Sequence, residues 1–120
     1  MAKMTFIDCN CSIGRVPHPY VEDMSTADQL CAEMDALGVD EAMVFHSLAR
    51  DASPPEGNRL LMEEIGDRDR LHPVWVVLPH HTGEIPEPDA LLREMEKNDV
   101  RAVRMFPGKD HHSFSLAEWS

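Results

Sequence analysis

Hydrophobic and polar positions follow two different periods along the chain, which predicts strands and helices in turn. Short apolar runs rich in β-branched and aromatic residues predict four strands. We place them near residues 5–9, 42–46, 73–78 and 101–106. The third contains the unbroken run VWVVL, which is expected of a strand that is covered on both faces.

A helical period fills the first interval between strands. Apolar residues recur at i, i+3, i+4, i+7 and i+10, namely at Ala27, Leu30, Cys31, Met34 and Leu37. Thr26 and Gln29 have the spacing of a capping box at the start of this helix, and Gly38 is placed to end it.

Two further helices are predicted. Residues 58–66 form one, with Asn58 as the N-cap and Gly66 as the stop, and residues 89–98 form the other. Strands that alternate with helices at intervals of about 30 residues indicate parallel strands joined by right-handed crossovers. The sequence therefore predicts an α/β fold.

We treat residues 1–120 as a single unit, because no long linker or low-complexity tract divides the chain. Near the end of the chain, the spacing of a capping box with a hydrophobic staple recurs at Phe114, Ser115, Glu118 and Trp119. A helix needs on the order of 10 residues, so we expect this sequence to be the first part of a longer protein.

The composition excludes several classes of partner. The chain has 22 acidic and 11 basic residues and a formal charge of −11, which disfavours binding to nucleic acids and to anionic membranes. We expect a cytoplasmic location, since no apolar run is long enough for a membrane helix or a secretory signal. The three cysteines are expected to be reduced. The uncovered edge of the fourth strand makes a homo-oligomer a further expectation.

Histidines concentrate after the predicted strands. Six of the seven follow or end a strand: His18, His46, His80, His81, His111 and His112. In parallel α/β folds the carboxyl ends of the strands and the loops after them form the ligand-binding rim. These histidines are therefore either part of a functional rim or solvated loop residues. His46 shares a strand face with Ala42 and Val44 and is expected to point inward.

Polar residues also occupy alternate positions of the first and fourth strands. Alternation places Asp8, Asn10 and Ser12 on one face of the first strand, with Cys9 and Cys11 on the other. The polar set either lines the mouth of a site or, in the case of Asp8, orders the chain that follows. The two cysteines are interpreted as small buried apolar residues rather than metal ligands.

Arg104 has a comparable position in the fourth strand. It lies between Ala102 and Phe106 on the face opposite Val103 and Met105. An inward arginine suits a carboxylate or phosphate on a substrate, and a salt bridge to Asp8 is the alternative.

The segment FIDCNCSIG (residues 6–14) resembles the first strand of the amidohydrolase superfamily, whose pattern is hydrophobic–Asp–x–His–x–His–x–Gly. Residues 38–65, 68–79 and 98–107 are similar to the second, third and fourth strand regions of such proteins. The resemblance implies the N-terminal half, about four βα units, of a (β/α)8 TIM barrel. It also implies a metal-dependent hydrolase that acts on C–N or ester bonds of a small organic substrate, or a related decarboxylase.

The sequence departs from this family at the metal ligands. The two histidines of the family pattern fall on Asn10 and Ser12, which are poor ligands for zinc. The remaining ligands of a divalent metal such as zinc would lie beyond Ser120, so the 120 residues alone are expected to be inactive. By this reading His46, His80, His81 and Arg104 bind the substrate. The alternative is a metal-free barrel that binds a small ligand or a partner without catalysis.

Overall fold

The computed structural model describes residues 4–14, 26–79, 83 and 85–107. These residues form, in order, β1 (Ile7–Ile13), α1 (Ala27–Leu37), β2 (Glu41–His46), α2 (Ser47–Asp51), α3 (Pro54–Ile65), β3 (Leu71–Val76), α4 (Pro88–Lys97) and β4 (Ala102–Arg104). The strands make one parallel sheet in the order β1-β2-β3-β4. The predicted α/β class with parallel strands is confirmed.

Helix α1 has the predicted boundaries. The hydroxyl of Thr26 accepts from the Gln29 N–H, and the Gln29 side chain accepts from the Thr26 N–H, which completes the capping box. Gly38 ends the helix in the left-handed region, with φ of 75°. Leu30 and Met34 are buried against the sheet, so the apolar stripe faces the core as its period requires.

Helix α3 starts earlier than the sequence predicted. Its N-cap is Ser53, whose hydroxyl accepts from the Glu56 N–H, and two prolines occupy the first turn. Proline is favoured there because its fixed φ is helical and the N–H that it lacks would have no helical partner. The N-cap role assigned to Asn58 is therefore wrong, since Asn58 is buried inside the helix. Gly66 ends the helix as predicted.

The short helix α2 was not predicted. Its five residues are too few to show a helical period, and it follows β2 directly. A close contact with α3 fixes its position, because a Cβ on Gly57 would lie only 2.2 Å from the backbone nitrogen of Ala49. Glycine at this position allows the two backbones to touch.

The strands differ from their predicted bounds by a few residues. β1 runs to Ile13 instead of ending near residue 9, and β3 runs over Leu71–Val76 instead of 73–78. In each case pairing with the neighbouring strand decides the ends: Leu71 pairs with Ala42, and Ile13 pairs with His46. β4 is shorter than predicted and α4 begins and ends one residue earlier, at Pro88 and Lys97.

The sheet has two apolar faces. The helix-covered face packs against α1 and α3, and its buried cluster contains Ile13, Ala27, Leu30, Met34, Ala42, Val44, Leu61, Ile65 and Leu71. The opposite face, which we call the Phe45 face, carries a second cluster of Phe45, Ala49, Val74 and Val76, with Met43, Ala102 and Phe106 beside it. Neighbouring residues of a strand point to opposite faces, so the two central strands, β2 and β3, contribute to both clusters.

Among the described residues, the helices are all too short or too polar to cross a membrane.

Candidate functional site at the Phe45 face

Strand β1 is irregular at its polar residues. Asp8 pairs with Ala42, whereas Cys11 pairs with Val44, so β1 has one more residue than β2 between these two points. Such a β-bulge shifts the alternation of side chains between the faces. After the bulge Ser12 lies opposite Phe45, whereas before it Asp8 lies opposite Ala42 of the helix-covered face. The predicted common face of Asp8, Asn10 and Ser12 is therefore wrong for Asp8.

Asp8 stabilises the bulge itself. Its Oδ1 accepts a hydrogen bond of 2.9 Å from the backbone N–H of Asn10. This is the local turn that short carboxylate side chains commonly form with the backbone two residues on. Asp8 thus orders the chain after it, which was the structural alternative for this residue.

Arg104 lies on the Phe45 face, as its alternation with Val103 predicted. It pairs with Val76, and its guanidinium carbon is 4.9 Å from the ring centroid of Phe45 and 4.9 Å from that of Phe106. The two rings are 5.4 Å apart and inclined at 54°. A guanidinium stacked on aromatic faces gains cation–π stabilisation and loses water from those faces.

The side chain of Arg104 also reaches the other edge of the sheet. One of its terminal nitrogens donates a hydrogen bond to Oδ1 of Asn10. β1 and β4 are the outermost strands, and three interstrand spacings would separate their backbones by about 14 Å in a flat sheet. We infer that the sheet curls toward the Phe45 face, which brings these two side chains together.

The charge environment of Arg104 is unusual for so acidic a chain. Five of the six other described arginines pair with carboxylates: Arg50 with Asp51, Arg59 with Glu56 and Glu63, Arg68 with Asp28, Arg70 with Asp35, and Arg101 with Asp99. Within the described residues Arg104 has no such ion pair, and its acceptor is the neutral amide of Asn10. The predicted alternative, a salt bridge between Arg104 and Asp8, is therefore wrong.

His46 lies away from this cluster. It belongs with Ala42 and Val44, as predicted, but that face is covered by helices and does not point toward Arg104. Its Nδ1 accepts a hydrogen bond of 3.1 Å from the backbone N–H of Leu48, which caps α2. Burial lowers the pKa of His46, and the nearby carboxylate of Glu64 opposes that effect. A neutral ring suits the cap, because Nδ1 can accept only when it carries no proton.

The ring of His46 also explains a glycine in the family-like segment. Gly14 follows β1 with φ of 101°, and a Cβ at this position would lie 2.8 Å from Cε1 of His46 and 2.4 Å from Oγ of Ser47. Both the backbone conformation and the lack of space require glycine here. This part of the resemblance to the amidohydrolase pattern therefore has a structural reason in this chain.

Several residues that were assigned to the rim lie outside the described residues. They are His18, His80, His81, His111 and His112, together with the capping box at residues 114–119. His72 is the second residue of β3 and therefore lies at the opposite end of the strand from the rim, as predicted. Its Nε2 is 2.8 Å from Oε1 of Glu41. Of the predicted site residues, the structure brings together Asn10 and Arg104 and places Ser12 on the same face.

The two cysteines of β1 differ in their surroundings. Cys9 is exposed, so its interpretation as a buried apolar residue is wrong; it lies at the bulge on the sheet's outermost strand. Cys11 is half-buried and packs against the cluster of the helix-covered face. Burial raises the pKa of the Cys11 thiol to about 12, and a hydrogen bond with Asp8 adds to this rise. A thiol with such a pKa is protonated at neutral pH, so it is a poor metal ligand.

The described residues do not fit the divalent metal that the resemblance implies. The amide oxygen of Asn10 accepts from the guanidinium of Arg104, so a metal ion bound to it would lie beside a positive charge. Ser12 offers only a neutral hydroxyl. Within residues 4–14, 26–79 and 85–107, no three His, Cys, Asp or Glu side chains are grouped to hold an ion.

Two residues of the site were missed by sequence reasoning. Phe45 was not considered as a site residue, because His46 was the residue of the second strand that was expected to point inward, and Phe106 was noted only as a neighbour of Arg104. The alternation Ala102, Arg104, Phe106 contained the signal for Phe106. For Phe45 the missing information was which face of β2 the helices cover.

Comparison with protein-family models, with curated proteins and with solved structures gave no match for this chain.

Proposed function

We propose that the chain forms four consecutive βα units of a (β/α)8 barrel that binds a small organic molecule near the carboxyl ends of its strands. The strand order supports this, since sequence order and spatial order agree and every pair is parallel. A barrel also requires the sheet to curl toward one face. The hydrogen bond between Arg104 and Asn10, on the outermost strands, is in keeping with that curvature.

Of the two functions that the sequence left open, we favour binding without a metal at the first strand. The observation that carries this proposal is that the guanidinium of Arg104 bonds to Asn10, one of the two positions where the amidohydrolase pattern has a metal-binding histidine. An immobile positive charge beside these positions disfavours a cation and favours an anion.

A metal-dependent hydrolase, or a decarboxylase of the same family, is the second candidate. The resemblance of FIDCNCSIG and the later segments to the amidohydrolase superfamily favours it. It requires that side chains outside the described residues hold the metal, which would then activate a water molecule. The partner in both cases is a small molecule rather than a nucleic acid or a membrane, as the net charge of −11 suggests.

Metal analysis of the purified protein separates the two candidates. The protein is prepared without a polyhistidine tag, dialysed against metal-free buffer and analysed by plasma mass spectrometry. We expect no stoichiometric divalent metal, and we expect added Zn²⁺ to leave the melting temperature unchanged. About one tightly held ion per chain, with stabilisation by zinc, would contradict the metal-free function and support the hydrolase.

A further inference from the structure

Arg104 has unused hydrogen-bonding capacity. A guanidinium carries five N–H donors. Within the described residues the structure gives this side chain one acceptor, Oδ1 of Asn10. Half-buried arginines usually satisfy more of their donors, because unpaired donors near an apolar surface are costly. As far as the described part of the chain is concerned, the remaining donors of Arg104 are therefore available to a ligand.

The surroundings of Arg104 restrict how a ligand can approach. Phe45 and Phe106 each lie 4.9 Å from the guanidinium carbon, and their ring centroids are only 5.4 Å apart, so both rings shield the same side of the guanidinium. The N–H donors of a guanidinium lie along the edge of its plane. A carboxylate meets such an edge with two parallel hydrogen bonds in the same plane. The ring of Phe106, which is only partly buried, also provides an apolar surface for the organic part of the ligand, whereas Phe45 is buried beneath it.

The charge of the site points to the same class of ligand. The chain has twice as many acidic as basic residues, and yet no described carboxylate pairs with Arg104. Arg93, on α4, also has no described ion pair, but it is exposed to solvent. Arg104 is half-buried beside two phenyl rings, which exclude water from one side of its guanidinium. A negative charge brought by a ligand would supply this compensation.

We propose that Arg104 binds the carboxylate of a small organic acid, with Asn10 orienting the guanidinium and Phe106 contacting the apolar part of the acid. This inference rests on the proposed function, because it names the chemical class of the molecule that binds at this end of the sheet. Ser12 lies on the same face, opposite Phe45, and is a further polar group within the site.

The test uses benzoate as the probe, with benzamide as its neutral analogue and inorganic phosphate as a second anion. Binding to EDTA-dialysed protein is followed by calorimetry and by the Nε–Hε resonance of Arg104 in ¹⁵N-labelled protein. We expect benzoate to bind with 1:1 stoichiometry and to shift this resonance, and we expect benzamide to do neither. Replacement by methionine, Arg104→Met, should weaken benzoate binding about 10- to 100-fold, the usual effect of losing a charge-assisted hydrogen bond.

Two control variants show whether the loss is specific. Arg101 lies three residues before Arg104, is exposed and pairs with Asp99. The variant Arg101→Met should therefore leave benzoate binding unchanged. Arg104→Lys keeps the charge but not the planar fork, and it should bind benzoate less tightly than the unmodified protein does. Circular dichroism checks that each variant is folded. The shift of the Arg104 resonance is measured on the unmodified protein and therefore does not depend on the folding of any variant.

Three outcomes would overturn the inference. They are an unshifted Arg104 resonance at saturating benzoate, equal binding of benzamide, and tighter binding of phosphate than of benzoate. Failure of the proposed function has a different signature: a stoichiometric metal before dialysis, with benzoate binding that is lost on EDTA treatment. Absence of both metal and benzoate binding would reject the carboxylate site alone.

Discussion

The guanidinium of Arg104 on β4 donates a hydrogen bond to the amide oxygen of Asn10 on β1, although two strands lie between them in the sheet. These residues are 94 positions apart in the sequence. The contact therefore reports on the curvature of the sheet as well as on the chemistry of the site. It also connects the bulge in β1 to Arg104, the only positively charged side chain that the described strand β4 places on the Phe45 face.

A double-mutant cycle between Asn10 and Arg104 should measure this contact. We expect the single variants Asn10→Ala and Arg104→Met and the double variant to give a coupling energy of about 1 kcal/mol in urea denaturation. A cycle between Asn10 and Arg101 is the matched control and should give none, because Arg101 pairs with Asp99. A coupling energy of zero for Asn10 and Arg104 would mean that the sheet is flatter in solution.

Acidification should weaken the fold through His46. Burial lowers the pKa of this histidine in the folded state, so the unfolded chain binds more protons once the pH falls below about 6.5. The stability that the neutral ring contributes is therefore complete above that pH and is lost as the pH falls toward the pKa of the folded state.

The variant His46→Asn isolates this effect. Asparagine is a good N-cap but does not titrate, so the free energy of unfolding of the variant should fall less between pH 7.5 and pH 5.5. Urea denaturation at several pH values measures the difference between the two proteins. If both profiles are parallel, protonation of His46 is not coupled to folding.

Replacement of the buried polar side chain of Asn58 should lower the free energy of unfolding strongly. It is 8% exposed, and its amide donates to the carbonyl of Val76 and accepts from the N–H of Val76, both at 2.9 Å. Asn58→Ala would leave both backbone groups buried without partners, at a cost of about 2–3 kcal/mol. Asn98→Ala is the control: the Asn98 side chain is exposed, and its one hydrogen bond within the described residues goes to the carbonyl of Glu94, so we expect a loss of less than about 0.5 kcal/mol. Similar losses for the two variants in urea denaturation would contradict this role.

The sequence predicted the elements whose signals are local. The capping box of Thr26 and Gln29, the stop at Gly38 and the parallel order of strands needed only spacing and alternation, and they are confirmed. The inward position of Arg104 relative to Val103 was also predicted, because β4 is regular. The two-residue alternation predicts the face of each side chain correctly as long as the strand contains no bulge.

The parts that failed depend on contacts between distant segments. The bulge in β1 is visible only from its pairing with β2, and it moved Asp8 to the other face. Asn58 was misassigned because its two hydrogen bonds go to Val76, 18 residues away, so no local signal distinguishes it from a cap. The position of His46 could not be predicted either, since it depends on which face of β2 the helices cover.

The proposed exclusion of a cation by Arg104 can be tested by introducing two histidines on β1. The double variant Asn10→His with Ser12→His introduces the His-x-His pair of the amidohydrolase pattern, which supplies two zinc ligands. An ion held at position 10 would nevertheless lie near the guanidinium, and a divalent ion about 5 Å from a unit positive charge is repelled by about 7 kcal/mol at an effective dielectric constant of about 20. We therefore expect weak zinc binding in the double variant and binding at least about 10-fold tighter when Arg104→Met is added.

Calorimetric titration with Zn²⁺ measures both affinities, and Arg101→Met in the double-histidine background controls for the loss of a distant positive charge. If the methionine at position 104 changes the zinc affinity no more than the one at position 101, the positive charge of Arg104 does not decide what this face of the sheet can bind.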